Sequence, residues 1–223
     1  MPLPILKTIR AVFQRKSKAH QTAHQYWKGC ANTFLAGDPT YYDRQEEALR
    51  ALLDSIRPAA KTGLDVGCGN GRFSLIMGEY LQSVLAFDLS RQLIDEASQH
   101  AANSGNVRFE QRDLEAGFPA GTYDVVAGMG IASTLIDEKV FTEFIKNLVQ
   151  AVCAGGHLIT KESLSTTGAD KAIASGPYIT TYRDQFRYEN ELKLRGMVLL
   201  QKTKLATSDG LANYIYLWVR AER

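Results

Sequence analysis

The sequence predicts an α/β fold: a doubly wound, seven-stranded, mostly parallel sheet closed by an antiparallel C-terminal hairpin, with an N-terminal helical extension. Three observations carry this expectation. From residue 61 onward, short β-type runs alternate with helical patterns, as strand–helix–strand units on a parallel sheet do. The run Gly63-Leu64-Asp65-Val66 passes into the glycine-rich turn Gly67-Cys68-Gly69-Asn70-Gly71 and then into a helix. Near the C-terminus, two β-type runs follow each other directly through Ser208-Asp209-Gly210, a hairpin turn.

The elements follow in order. Ile5, Leu6, Ile9, Val12 and Phe13 recur at helical spacing among Lys and Arg, which predicts a short basic amphipathic helix. Residues 20–37 are aromatic and polar, and Asp38-Pro39 marks a turn. A helix is expected over about 42–56, ended by Pro58. Strands are expected near 62–66, 84–88, 107–111, 123–128, 157–162, 197–206 and 213–220. Helices are expected near 72–81, 91–102, 138–152 and 184–195. This divides the chain into a basic arm or lid over 1–40 and a main domain over 41–223. Within it, 164–183 is a polar insertion rich in Ser, Thr, Gly and Ala.

With 223 residues, the chain can bury a sizeable core without disulfides or metals. Apolar content of 45% and charged content of 22% are those of an ordinary globular protein. Three scattered cysteines, Cys30, Cys68 and Cys153, argue against a disulfide framework and for a reducing, cytoplasmic setting. No secretory signal or membrane-spanning run is recognisable. A net charge of +2 makes no case for nucleic acid as a partner. The charge is uneven, however. Residues 1–37 hold six basic side chains and no acid, so residues 3–18 are expected to associate weakly with anionic membrane surfaces.

The glycine turn narrows the ligand. Glycines allow sharp turning and close backbone approach, and the helix N-terminus beyond them attracts anionic groups. A dinucleotide loop, Gly-x-Gly-x-x-Gly, would need a third glycine at position 72, which is Arg72; the glycine comes at 71 instead. Asp65, two residues before the loop, offers a carboxylate to an ammonium group. A ligand with both an amino group and a carboxylate suits this pairing. Strand 2 ends in Asp88, 17 residues after Gly71, where a carboxylate can accept from two ribose hydroxyls. Strand 3 runs into Asp113-Leu114, where an acid can accept from an adenine amine.

The segment Leu64-Asp65-Val66-Gly67-Cys68-Gly69-Asn70-Gly71-Arg72-Phe73 resembles motif I of the class I S-adenosylmethionine-dependent methyltransferases. The resemblance covers about residues 40–220. It implies the seven-stranded sheet, S-adenosyl-L-methionine as cofactor and S-adenosyl-L-homocysteine as product. It implies cofactor contacts from Asp65, Gly67, Cys68, Gly69 and Asn70, from Asp88 and Leu89 for the ribose, and from Asp113 and Leu114 for adenine. Gly128 and Met129, at the family's motif IV, would border the methyl group. Some amino-methylating members carry Asn/Asp-Pro-Pro-Tyr there. Here Gly128-Met129-Gly130 replaces it, which argues against base methylation and leaves no general base in that motif.

Methyl transfer from a sulfonium needs positioning and exclusion of water more than chemistry from the protein. Candidate catalytic residues are Tyr41, Lys161, Tyr178 and Tyr182. His24, Tyr26, Trp27 and Tyr42 precede strand 1, where family members often fold over the cofactor. No metal is expected: His20 and His24 share a helical face, but no third ligand is evident nearby in the sequence. The leading expectation is methylation of an oxygen or nitrogen of a small-molecule acceptor, biosynthetic or sugar-type. Alternatives are methylation of a protein or peptide amine, an NAD(P)-dependent oxidoreductase, and a non-catalytic module that keeps the pocket.

Overall fold

A computed structural model describes residues 18–32, 39–56, 61–102 and 104–222. The amphipathic segment 5–13, and all but the last residue of the stretch expected at membrane surfaces, lie outside them. Among the described residues, no helix is long and apolar enough to cross a membrane.

Helix α1 is helical over 18–28. It is followed by α2 (Pro39–Ile56), β1 (Thr62–Val66), α3 (Arg72–Tyr80), β2 (Ser83–Asp88), α4 (Arg91–His100), β3 (Val107–Gln111), β4 (Tyr123–Met129) and α5 (Glu138–Ala151). The chain continues with β5 (Val152–Ser165), β6 (Lys171–Ser175), β7 (Tyr178–Tyr182), α6 (Gln185–Lys193), β8 (Met197–Ser208) and β9 (Leu211–Arg220). The main sheet has the order β3-β2-β1-β4-β5-β9-β8. The first five strands are parallel, and β9 runs antiparallel to both β5 and β8. This is the doubly wound sheet with a reversed terminal hairpin that the alternation predicted.

Period-2 alternation sends neighbouring strand residues to opposite faces. Leu64, Val66 and Val126 join a core with Phe141, Phe144 and Leu148 of α5 and Tyr188 of α6. Val125 and Ala127 join the other, with Leu49 and Leu52 of α2 and Met77 of α3. The central strands are buried on both sides, which is why they read as apolar runs.

Two elements differ from expectation. Helix α2 begins at Pro39, which the sequence reading placed in a turn; proline's fixed φ and missing N–H suit the first helical turn. The stretch 164–183, read as a polar loop, contributes the end of β5 and a β6–β7 hairpin paired from Lys171↔Tyr182 to Ser175↔Tyr178. Its two-residue turn is Gly176-Pro177, with Gly176 at φ 58° as a tight hairpin turn requires. Most of β6 is exposed, so the period-2 pattern carried no apolar stripe to reveal it.

Candidate active site

The C-terminal ends of β1, β2, β4 and β5 open into one cavity of about 770 Å³. That lies within the roughly 300–1,000 Å³ typical of small-molecule sites. Helix α1 and the β6–β7 hairpin cover it: His20, His24, Trp27, Tyr178 and Tyr182 all line it. Ala23 is buried and Ser90 Oγ donates to the Cys30 carbonyl (2.6 Å), which fastens the end of the α1 segment to α4.

The glycine loop forms the floor. Gly67 and Cys68 donate backbone N–H bonds to the Phe87 carbonyl, at 2.9 and 3.0 Å, and Gly69 N–H donates to Asp88 Oδ2 at 2.9 Å. Gly71 adopts φ 82°, and a Cβ there would come within 2.7 Å of the Phe109 ring and 2.9 Å of Ala97. Only glycine fits at that position. The first turn of α3 therefore has no side-chain cap, and Arg72 and Phe73 line the cavity beside it. This helix N-terminus suits an anionic ligand group.

Gly67, Cys68, Gly69, Asn70, Asp88, Leu89, Asp113, Leu114 and Met129 line the cavity together, as do Tyr41, Tyr42, Lys161, Tyr178 and Tyr182. Asp88 is held by N–H groups of Gly69 and Ser90, the latter at 2.8 Å to Oδ1, and burial raises its pKa. Burial also pushes the Cys68 thiol well above its ordinary value, which suits a packed residue and not a nucleophile.

Two residues expected at the cofactor do not line the cavity. Asp65 is buried behind the loop and is not on the cavity wall; its Oδ2 accepts from Ser74 Oγ at 2.6 Å. Strand alternation turns it towards α3. Gly128 faces inward as well, since a Cβ there would meet Leu148 and Phe144 of α5.

Burial, only partly offset by the Ser74 hydroxyl, pushes the Asp65 carboxyl up to about 7. The folded protein then binds this proton more tightly than the unfolded chain. The associated stability is present below the ordinary carboxylate pKa and is lost as pH rises to about 7. In the ligand-free protein, Asp65→Asn should flatten the fall in stability between those limits by up to about 4 kcal/mol. Urea midpoints at acidic and mildly alkaline pH measure this. An unchanged difference would show that Asp65 ionises freely in the fold.

The end of the cavity away from the glycine loop is built from β5, β9 and α2. Lys161 Nζ lies 5.2 Å from the Tyr41 ring centroid and near Gly130. Burial lowers its pKa, with a smaller opposing push from Glu162 and from Tyr42 and Tyr182. Tyr41 and Ser163 both donate hydroxyl bonds to Asn213 Oδ1, the former at 2.7 Å. Burial raises the pKa of Tyr41, and that of Tyr178 to about 12, so both hydroxyls keep their protons. Tyr26, Trp27 and Tyr178 pack edge to face, with centroids 5.1–5.9 Å apart, and join α1 to the hairpin.

The sequence points to Glu162 and Arg183 only as members of the stretches Lys161-Glu162-Ser163 and Tyr182-Arg183, without a role for either. Glu162 is buried and accepts from the N–H groups of Ile131 and Ala132, at 3.2 and 3.1 Å. Arg183, also buried, donates to the carbonyls of Ala132 and Leu135 and stacks 3.6 Å over the Phe141 ring. Together they clamp the loop after β4, and Thr181 N–H bonds the Ser133 carbonyl (2.8 Å), so the hairpin is tied to the same loop. The sequence offers only weak signals for this, Lys161-Glu162 and Tyr182-Arg183-Asp184, and neither spacing shows that both point at one loop. Arg183→Ala should destabilise the fold by about 2–4 kcal/mol, because two carbonyls lose their donors and a stacked cation is deleted. Arg187→Ala, which loses half-exposed ion pairs to Asp170 and Glu138, should cost under about 1 kcal/mol in the same urea titrations. Equal losses would contradict the clamp.

Acidic residues also gather where the sequence reading saw no third metal ligand. Asp113 and Glu115 meet His24 and His20 across 89 and 95 residues of chain.

A family model described as a methyltransferase domain matches residues 64–156. A ubiquinone biosynthesis O-methyltransferase of Leptothrix cholodnii is 34% identical over 91 residues, 39% of each chain. The chain spans less than half the length of the curated relatives it matches. Among solved structures, a methyltransferase from Leishmania major superposes with a TM-score of 0.75 at 20% identity, covering 90% of this chain and 82% of that one. The N-methyltransferase NodS from Bradyrhizobium japonicum, in complex with S-adenosyl-L-homocysteine, gives 0.71 at 15% identity, covering 92% and 99%. Residues 64–156 thus match a methyltransferase domain, and the sheet order and glycine loop are those implied by the resemblance to class I S-adenosylmethionine-dependent methyltransferases.

Proposed function

We propose that the protein transfers the methyl group of S-adenosylmethionine to a hydroxyl oxygen of a small aromatic acceptor, with Lys161 as general base. The observation that carries this reading is the half-buried Lys161 amine on the cavity wall, beside Tyr41 and Gly130, with its pKa lowered by desolvation. The O-methyltransferase name of the Leptothrix cholodnii relative supports oxygen as the acceptor atom.

The cavity residues fit the cofactor. The uncapped N-terminus of α3 would take its carboxylate, Asp88 its ribose hydroxyls, and Leu114 and Leu89 would flank its adenine. Asp113 keeps Oδ1 on the Glu115 N–H and Oδ2 on His24, so an adenine amine would share Oδ1 with the Glu115 N–H and leave Oδ2 to the histidine side. When bound, the cofactor supplies an electrophilic methyl on a positively charged sulfur. The chain's own work is then to hold the acceptor in line and to accept one proton. An ordinary lysine is protonated near neutrality and cannot act as a base. Burial shifts Lys161 towards the neutral amine, which can take a hydroxyl proton. Tyr41, Ser163 and Asn213 form a polar patch beside it that would orient the acceptor, and Trp27, Tyr178 and Tyr182 form the aromatic cover that excludes water.

The test is incubation with methyl-labelled S-adenosylmethionine and matched phenol, catechol and amine acceptors, with the product methyl located by mass spectrometry. Transfer to phenolic oxygen is expected. Transfer only to amines would favour the peptide-amine reading. Tight NAD(P) binding without any S-adenosylhomocysteine binding would overturn the proposal entirely.

A further inference from the structure

Where α1 meets the turn after β3, the chain holds four metal-ligating side chains outside the end proposed to hold the acceptor. His20 and His24 lie four residues apart, so they share one face of α1. Asp113 and Glu115 belong to the short 3₁₀ turn Leu114–Ala116, which Asp113 caps by accepting the Glu115 N–H at 2.9 Å. That cap orients the Asp113 carboxylate, and the Glu115 carboxylate is held by His20. His24 Nε2 lies 2.8 Å from Asp113 Oδ2, and His20 Nε2 lies 3.0 Å from Glu115 Oε1. The donor atoms of His24, Asp113 and Glu115 all lie within 4.8 Å of one another. All four residues line the cavity.

We propose that His24, Asp113 and Glu115 bind a divalent transition-metal ion, zinc being the reference case, with His20 as a positioning residue that hydrogen-bonds Glu115. Ligand atoms around a tetrahedral zinc sit about 2.0–2.1 Å from the ion and so about 3.4 Å from each other. The present separations, at most 4.8 Å, are within about 1.5 Å of that spacing. One imidazole and two carboxylates form a nitrogen–oxygen set suited to zinc, cobalt or manganese, with no thiolate to favour copper(I). Three protein ligands leave one coordination position open. The ion would link α1 to the β3 turn and so fasten the covering helix across the cavity. This inference does not depend on the identity of the acceptor or on Lys161.

The test uses the full-length, tag-free protein after chelator treatment, titrated with zinc chloride by calorimetry and with cobalt chloride by visible absorption. One equivalent should bind, and cobalt should develop d–d bands. His24→Ala and Glu115→Gln should weaken binding by about 100-fold or more, and His20→Ala by about 10–100-fold. His100→Ala, at the exposed end of α4, should leave it unchanged. Circular dichroism of each variant shows that the fold is kept, and Asp113→Asn gives a second ligand variant if His24→Ala unfolds. No saturable uptake of either ion would overturn the proposal. So would wild-type uptake by His24→Ala and Glu115→Gln, which would place the ion elsewhere.

Discussion

Lys161→Met should lower kcat for methyl transfer to a hydroxyl acceptor by about 10²–10⁴-fold, the usual contribution of a positioned general base. Methionine keeps the volume and apolar stem and removes only the amine, so affinity for S-adenosylhomocysteine should hold. Lys161→Arg should not rescue the rate, because a guanidinium does not give up its proton. The pH profile separates a base from a structural residue. In the wild type, kcat should rise with pH through the amine's pKa, and burial places that rise below the range of an ordinary lysine. In Lys161→Met this limb should disappear, leaving the ionisation of the acceptor itself. A Lys161→Met enzyme with wild-type kcat and an unchanged profile would remove the base from the mechanism.

Asp88→Asn should weaken binding of S-adenosylhomocysteine by about 2–4 kcal/mol, or roughly 30- to 700-fold in Kd. Two effects add. The charge that strengthens the ribose hydrogen bonds is lost. One carboxylate oxygen also becomes an NH₂ donor facing either the Gly69 or the Ser90 N–H, where two donors would oppose each other. The glycine loop would then shift with the side chain. Titration calorimetry measures this; Asp113→Asn, which keeps both ribose contacts and one oxygen for the adenine amine, should weaken binding less than Asp88→Asn. Unchanged affinity in Asp88→Asn would mean that the ribose lies elsewhere in the cavity.

The half of the cavity proposed to hold the cofactor was legible because it is made of local signals. A strand running into Gly67-x-Gly69-x-Gly71, and acids at the ends of successive strands, are short-range patterns whose placement follows from parallel pairing. Once β1, β2 and β3 pair in register, Asp88 and Asp113 must rise on the same sheet edge. Asp65 shows the limit of that reasoning. It stands beside the loop in sequence, yet the two-residue period of β1 turns it away from the cavity and onto Ser74.

The half proposed to hold the acceptor was legible only as a set of residues. Lys161, Tyr41, Tyr178 and Tyr182 were chosen by type and neighbourhood, and the sequence could not say that Tyr41 and Asn213, 172 residues apart, share a hydrogen bond. It could not reveal the β6–β7 hairpin either, because a mostly exposed strand has no apolar alternation to show.

By itself, then, the sequence determined the sheet, its reversed hairpin and the glycine loop, since each follows from hydrophobic period, turn chemistry and the conformational freedom of glycine. Only the tertiary structure decided which polar side chains meet. The clamp of Glu162 and Arg183 on the loop after β4, and the approach of His20 and His24 to Glu115 and Asp113, depend on long-range packing of α1, α5 and the hairpin against the sheet. Such contacts are set by which elements can bury their apolar faces together, and no local spacing encodes them.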